Sequence, residues 1–208
     1  MNLSDYFSAQ ARRPSGLFGR IIMPLVFDYG NAYLNGFVAE LMALQPDDRV
    51  LEIGCGTGKL MQRMARELKS GQIVGVDFSS EMVAIAEKRN RKNISRGTAA
   101  VVKADVAASP FSPASYSKAC SVNTLYFWQD PDLILKKVME LLAPGGRFVL
   151  AFEDTEQLKR RELSADLFRL HTKDDVLRML SNSGASGEVT IETRKKNRLL
   201  FHCAVAIR

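Results

Sequence analysis

Residue types that build metal and redox sites are scarce in this chain. Its 208 residues include three cysteines, Cys55, Cys120 and Cys203, and two histidines, His171 and His202, with no Cys or His pair at ligand spacing. That argues against a zinc centre. Thiols so few and so far apart suit reduced, buried cysteines of an intracellular protein better than a disulfide frame. Also absent is an apolar run of the roughly eighteen residues that a membrane span needs. The stretch Met1–Arg13 is polar and lacks the apolar centre of a secretory leader, so the expected location is cytoplasmic. The length allows one domain with a full core, not comfortably two.

Charge is unevenly spread. The net charge is +6, and the cations gather at Lys88-Arg89-Asn90-Arg91-Lys92 and Arg194-Lys195-Lys196-Asn197-Arg198. These read as a solvated helix end and a solvated hairpin tip; the sharper reading is attraction to an anionic acceptor or an acidic membrane surface. No RNA-binding motif and no interleaved aromatic platform accompanies them, so nucleic acid is not an expected partner.

Residues 1 to about 30 hold Pro14, Gly16, Gly19, Pro24 and Gly30 among recurring apolar residues, which predicts short, broken amphipathic pieces. Leu34, Phe37, Val38, Leu41 and Leu44 follow helical spacing up to Pro46-Asp47-Asp48. An alternation then begins. Predicted strands are 49–53, 72–77, 99–103, 117–122 and 147–152. Between them the apolar pattern predicts a helix through Leu60, Met64, Ala65 and Leu68 with Gly71 as its C-cap. Further helices are expected from Ser79 or Ser80 towards Asn90, and from Asp130-Pro131. Strand–helix alternation of this kind means parallel βαβ units, an α/β doubly wound sheet with helices on both faces. A helix at 172–182 and strands at 189–193 and 199–207 follow. The basic turn between the last two suits a hairpin, so the seven-stranded sheet should end with an antiparallel strand. The whole reads as a single domain, 1–208, with residues 1–45 as a helical cover.

The strongest motif is Glu52-Ile53-Gly54-Cys55-Gly56-Thr57-Gly58, which leaves a strand and opens a helix. Glycines there let the chain turn tightly and let a ligand touch bare backbone. Asp77 ends the next strand nineteen residues on, where a carboxylate can accept from ribose hydroxyls. The dinucleotide pattern G-x-G-x-x-G fails, because Lys59 stands at its sixth position.

Together with Asp77-Phe78-Ser79, Ala104-Asp105-Val106 and Leu142-Ala143-Pro144-Gly145-Gly146-Arg147-Phe148, this motif resembles the class I S-adenosylmethionine (SAM)-dependent methyltransferases. The four motifs stand in that family's order between about Pro46 and Phe152. The finer likeness is to its small-molecule branch, which includes quinone-biosynthesis methyltransferases. The resemblance implies SAM as cofactor, S-adenosylhomocysteine as product, and a Rossmann-like fold. It implies that Gly54, Cys55, Gly56 and Gly58 face the methionine part and that Glu52 holds its amino end. It places Asp77 on the ribose, Phe78 and Met82 along the adenine, and Asp105 and Val106 at the adenine amino group. Asn123 would stand near the methionine end or the acceptor. Taken singly, Asp77 and Asp105 could instead cap helices, and Phe78 and Met82 could be core.

The expected partner is a small-molecule methyl acceptor; a membrane-dissolved quinone or lipid, reached by peripheral membrane contact, is an alternative. Others are a non-catalytic SAM-binding module and, on the glycine loop alone, a nicotinamide-dependent dehydrogenase. Activated methyl transfer needs orientation more than a base, so no catalytic residue is assigned; the candidates are Tyr126, His171 and Tyr29. Asn123–Trp128 reads equally as an acceptor wall or as a packed loop. Neither the acceptor nor the oligomeric state is readable.

Overall fold

The computed structural model describes residues 3–109, 111–161, 163, 164 and 166–208. Met1 and Asn2, with which the expected cover begins, lie outside them. The strands are β1 (Arg49–Ile53), β2 (Gln72–Asp77), β3 (Ala99–Lys103), β4 (Tyr116–Val122), β5 (Leu142–Glu153), β6 (Thr190–Lys196) and β7 (Leu199–Ile207). They form one sheet in the order β3-β2-β1-β4-β5-β7-β6. The first five are parallel, and β7 runs antiparallel between β5 and β6. The chain moves outward from β1 to β3, returns, and continues from β4 on the other side. The strand order therefore reverses between β1 and β4, where an open sheet leaves a crevice at its carboxyl edge.

The eight α-helices among the described residues are α1 (Leu3–Arg12), α2 (Gly16–Gly30), α3 (Ala32–Met42), α4 (Lys59–Met64), α5 (Ser80–Ser95), α6 (Pro131–Leu141), α7 (Thr155–Lys159) and α8 (Lys173–Ser181). One face of the sheet packs α3 and α4, with Phe37, Met42, Leu60 and Met64 in its core, and α5 lies beside α4. The other face packs α6 and α8 through Leu135, Val138, Val176 and Leu180. Burial on both faces explains the unbroken apolar runs of the central strands.

Local chemistry sets the helix starts. Ser79 caps α5 by accepting from the Met82 amide, and Asp130 caps α6 with Pro131 in the first turn. Thr172 and Asp175 form a reciprocal capping box on α8. Asn197, with φ of +58°, turns the β6–β7 hairpin.

Three expectations are corrected. The N-terminal segment breaks only at Arg13–Ser15; α2 then runs fifteen residues through both Gly19 and Pro24. Tertiary packing overrides those breakers: Met23 is fully buried, and Gly19 lies so close to Pro14 that a Cβ there would meet its carbonyl carbon. The helix after β1 ends at Met64, not at Gly71. Gly71 instead lies against the Asp48 backbone and donates its amide to the Pro46 carbonyl at 3.0 Å. The short helix α7, between β5 and α8, was not anticipated; Asp154 caps it.

Candidate functional site

At the carboxyl edge of β1 the glycine loop crosses towards β2. The amides of Gly54 and Cys55 both donate to the Val76 carbonyl, at 2.8 and 3.1 Å. Gly54, Gly56 and Gly58 have φ of +68°, +50° and +69°, the left-handed region that disfavours a side chain. The loop is tight on two of these glycines. A Cβ at Gly54 would run into Thr124, and one at Gly58 into Asn90 and Ala86 of α5. At Gly56 a Cβ would meet nothing within 4 Å. The bare face of Gly56 opens into a cavity of about 570 Å³ that spans the reversal point of the sheet.

Two carboxylates back this loop. Asp77 is buried, and its oxygens accept from the amides of Gly56 (2.9 Å) and Ser79 (2.8 Å), so it holds the loop while lining the cavity. Burial raises its pKa, against the hydrogen bonds from Ser79, Gly56 and Phe78. Glu52 is wholly enclosed on the α4 side of the sheet. Burial, and then the nearby Asp77 charge, push its pKa up to about 8, opposed by a hydrogen bond from the Met61 backbone. Its Oε2 is buried without a hydrogen-bond partner, yet Glu52 lines the cavity. A buried carboxylate oxygen left unpaired is costly. An ammonium group brought into the cavity would satisfy it, which fits the amino end of a methionine-bearing nucleotide.

The remaining sequence-predicted binding residues, Phe78, Met82, Asp105, Val106, Cys55 and Asn123, also line this cavity. Phe78 is partly exposed beside buried Met82, and Val106 is buried. Asp105 caps a 3-10 turn through the Ala107 amide at 3.0 Å. Gly58 is brought to the loop but not to the cavity wall, since it packs on α5. Asn123, at a φ of +54°, donates through Nδ2 to Asn31 Oδ1 (2.8 Å) and accepts from the Tyr126 hydroxyl (3.1 Å).

The catalytic candidates fare differently. Tyr126 lines the cavity, but its hydroxyl also accepts from the Glu153 amide at 2.6 Å, and burial drives its pKa far up. It is a buried phenol bonded to both Asn123 and the Glu153 backbone. Tyr29 points to solvent, with 90% exposure, and does not line the cavity. His171 is also outside it; burial lowers its pKa, and its Nε2 is enclosed without a partner. Burial raises the thiol pKa of Cys55, Cys120 and Cys203, so none is a poised thiolate.

The outer half of the cavity carries residues that the sequence reading missed. Phe7 and Arg12 of α1 and Met23, Val26, Phe27 and Asp28 of α2 form one wall. Asp28 is the pin. Arg89 of α5 grips it with two hydrogen bonds, Nη1 to Oδ1 at 2.9 Å and Nη2 to Oδ2 at 2.6 Å. Thr57 of the glycine loop donates to Asp28 Oδ1 at 2.6 Å, and Lys59 Nζ reaches the Asp28 carbonyl at 3.1 Å. Burial alone would raise the Asp28 pKa; the Arg89 and Thr57 hydrogen bonds outweigh it and hold the carboxyl below its usual range. A signal was available: Asp28 is the lone acidic residue between Asp5 and Glu40. Opposite stand Phe127, Trp128, Ile134, Leu158 and Phe168, with Arg161 paired to Glu153. Phe127 meets Phe168 edge-on at 4.7 Å, and Arg169 donates to the Trp128 carbonyl. The aromatic segment is thus both a packed loop and a cavity wall.

Comparison with known proteins agrees with this geometry. A family profile described as a methyltransferase domain matches residues 50–146. The chain is 26% identical to an uncharacterized methyltransferase of Bacillus subtilis, YdaC, over 80% of this chain and 86% of that protein. It is 27% identical to the ubiquinone/menaquinone biosynthesis C-methyltransferase UbiE of Teredinibacter turnerae, over 76% of this chain and 67% of that one. Among solved structures it resembles phosphoethanolamine N-methyltransferase 2 of Haemonchus contortus, in complex with phosphomonomethylethanolamine and S-adenosylhomocysteine. That match has a TM-score of 0.76 at 14% identity, over 92% of this chain and 58% of that one. With motifs, fold and relatives in agreement, residues 50–146 are a methyltransferase domain, and the sheet that carries them has the fold of the SAM-dependent methyltransferases.

Proposed function

We propose that the chain transfers the SAM methyl group to an apolar small-molecule acceptor seated in the outer half of the cavity, leaving S-adenosylhomocysteine. The observation that carries this reading is the continuity of one cavity from Gly56, Asp77 and Asp105 to the Phe127–Trp128–Phe168 wall. The sulfonium cofactor supplies an already activated methyl group. The protein's share is orientation and exclusion of water, and orientation alone can be worth about 7–11 kcal/mol of a barrier.

Each residue's proposed task follows from its place. Gly54, Cys55 and Gly56 present bare backbone to the methionine part, and the open Oε2 of Glu52 receives its ammonium. The two oxygens of Asp77 keep lone pairs for ribose hydroxyls beyond their bonds to Gly56 and Ser79. Phe78, Met82, Asp105 and Val106 bound the adenine end, and Asn123 stands between cofactor and acceptor, steadied by Asn31 and Tyr126. Residues 1–45 act as a cover over a single domain, and Asp28 latches it to the glycine loop.

Calorimetric titration with S-adenosylhomocysteine, with NAD⁺ and NADP⁺ as controls, tests the cofactor half. Micromolar binding of the first alone is expected. Release of S-adenosylhomocysteine during incubation with a panel of phenolic, quinol and carboxylic acceptors tests the outer half. Cofactor binding with no turnover on any apolar acceptor would leave a SAM-binding module and overturn the acceptor reading.

A further inference from the structure

One face of α2 walls the cavity; the other is bare. Leu17, Ile21, Leu25 and Tyr29 recur every fourth residue and are 77%, 59%, 66% and 90% exposed. At that spacing they form one stripe along the helix, with exposed Ile22 on its flank and Val26, also exposed, at the edge it shares with the cavity wall. No charged side chain interrupts the stripe. The single acidic residue of α2, Asp28, is consumed by its ion pair with Arg89. Six exposed large apolar side chains on four turns are far more than a solvated helix carries by chance.

The surroundings of the stripe are cationic. Arg13 and Arg20 are exposed at its amino-terminal end. At the other end, the Asp28–Arg89 pair fixes α2 against α5. From Arg89, the residue three further along that helix shares its side, the exposed Lys92; Lys88 precedes Lys92 by one turn, and the exposed Arg96 follows directly on the helix end. None of Arg13, Arg20, Lys88, Lys92 and Arg96 forms an ion pair among the described residues. The nearby acidic groups of α5, Glu81 and Glu87, are outnumbered. An apolar stripe bordered by unpaired cations matches the layered chemistry of an anionic bilayer: acyl boundary under the stripe, headgroup phosphates against the cations.

We propose that the outer face of α2 is a docking surface for an anionic lipid membrane. The opposite face of the same helix places Met23 and Phe27 at the cavity, so docking would set the acceptor chamber one helix diameter, roughly 10 Å, from the lipid. The docking itself does not rest on the methyltransfer reading; only this last consequence does.

Co-sedimentation with sucrose-loaded vesicles tests it, using equal parts phosphatidylglycerol and phosphatidylcholine against phosphatidylcholine alone. Binding to the anionic vesicles is expected, weakening as salt rises. The double variant Leu17→Glu/Leu25→Glu should lose it by more than about tenfold, and Lys88→Gln and Lys92→Gln by about fivefold each. S-adenosylhomocysteine titration of the same variants should match the wild type, so failure of docking and failure of the cofactor reading stay distinguishable. Three results would overturn the proposal. They are no binding to anionic vesicles at low salt, equal binding by the double variant, and a wild-type dimer in sedimentation velocity that Leu17→Glu/Leu25→Glu converts to monomer. The last would assign the stripe to a second copy of the chain.

Discussion

At the inner end of the cavity, Gly54–Gly58, Asp77 and Asp105 stand on the carboxyl ends of β1, β2 and β3; the loop amides donate to the Val76 carbonyl, and both carboxylates accept from backbone amides. At the outer end, Phe7, Arg12, Val26 and Phe27 come from two helices that pack mainly on other helices. The Asp28–Arg89 ion pair and hydrogen bonds from Thr57, Lys59 and Ser79 pin them. The inner half is a product of strand register, and its residues lie in a few contiguous motifs. The outer half is assembled from segments far apart in the chain, over a helix with one apolar face in water. Under the proposed function the strand-built half takes the cofactor and the helix-built half the acceptor, a division that enzymes on shared folds repeatedly use.

The sharpest way to break the inner half is Gly56→Val. A β-branched residue at φ of +50°, projecting into the cavity, should weaken S-adenosylhomocysteine binding by about 3 kcal/mol or more, on the order of 100-fold. Circular dichroism should stay native, because no side chain is displaced. Normal affinity would remove this loop from the site.

Glu52 offers a pH test of the same half. Its folded pKa, about 8, lies above the unfolded value near 4.5, so the folded state holds the proton longer. The Glu52 contribution to the stability of the ligand-free protein should be full below the unfolded value. That contribution should be lost as pH rises from the unfolded value through about 8, at up to about 1.4 kcal/mol per pH unit. Melting curves of Glu52→Gln should lack that slope. Titration of the wild type below pH 8 should also release a proton, read as a binding enthalpy that varies with buffer ionisation. A pH-independent melting temperature would show that Glu52 is not the enclosed acid described above.

Asp77→Ala comes next, at about 1.5–3 kcal/mol of lost S-adenosylhomocysteine affinity; unchanged affinity would reduce Asp77 to a loop anchor. The outer half should respond more mildly. A double-mutant cycle with Asp28→Asn and Arg89→Met should give a coupling of about 1 kcal/mol in thermal stability, as both side chains are only partly enclosed. Proteolysis within residues 3–30 should quicken in either variant, and additivity would mean that α2 is held by packing alone. Smallest of all, His171→Ala should leave cofactor affinity within about twofold, since the histidine lies outside the cavity.

Much of the sheet was legible because period and punctuation agreed. Strands such as Val50–Ile53 are buried on both faces, so their apolar runs have one explanation, and Ser79, Asp130 and Thr172 announce helices by chemistry that acts within three residues. The placement of Asp77 and Asp105 on one rim follows from parallel register. Illegible were the features that depend on contacts across the chain. Pro24 and Gly19 signal breaks locally, yet α2 runs through both because Met23 is buried beneath it. Arg89 read as part of a solvated basic run, and its grip on Asp28 spans sixty-one residues. Tyr126 read as a catalytic candidate within an acceptor wall or packed loop, and only the tertiary structure shows its enclosure and its bonds to Asn123 and Glu153.

The sequence by itself determined the α/β order, the glycine turn and the carboxylates at strand ends, since each is set by neighbours within a turn or a strand. Tertiary structure alone decided how the chamber is closed: which charge meets Asp28, which oxygen of Glu52 stays unpaired, and which face of α2 meets water. Those outcomes depend on distances and dielectric surroundings that exist only after distant segments have packed together.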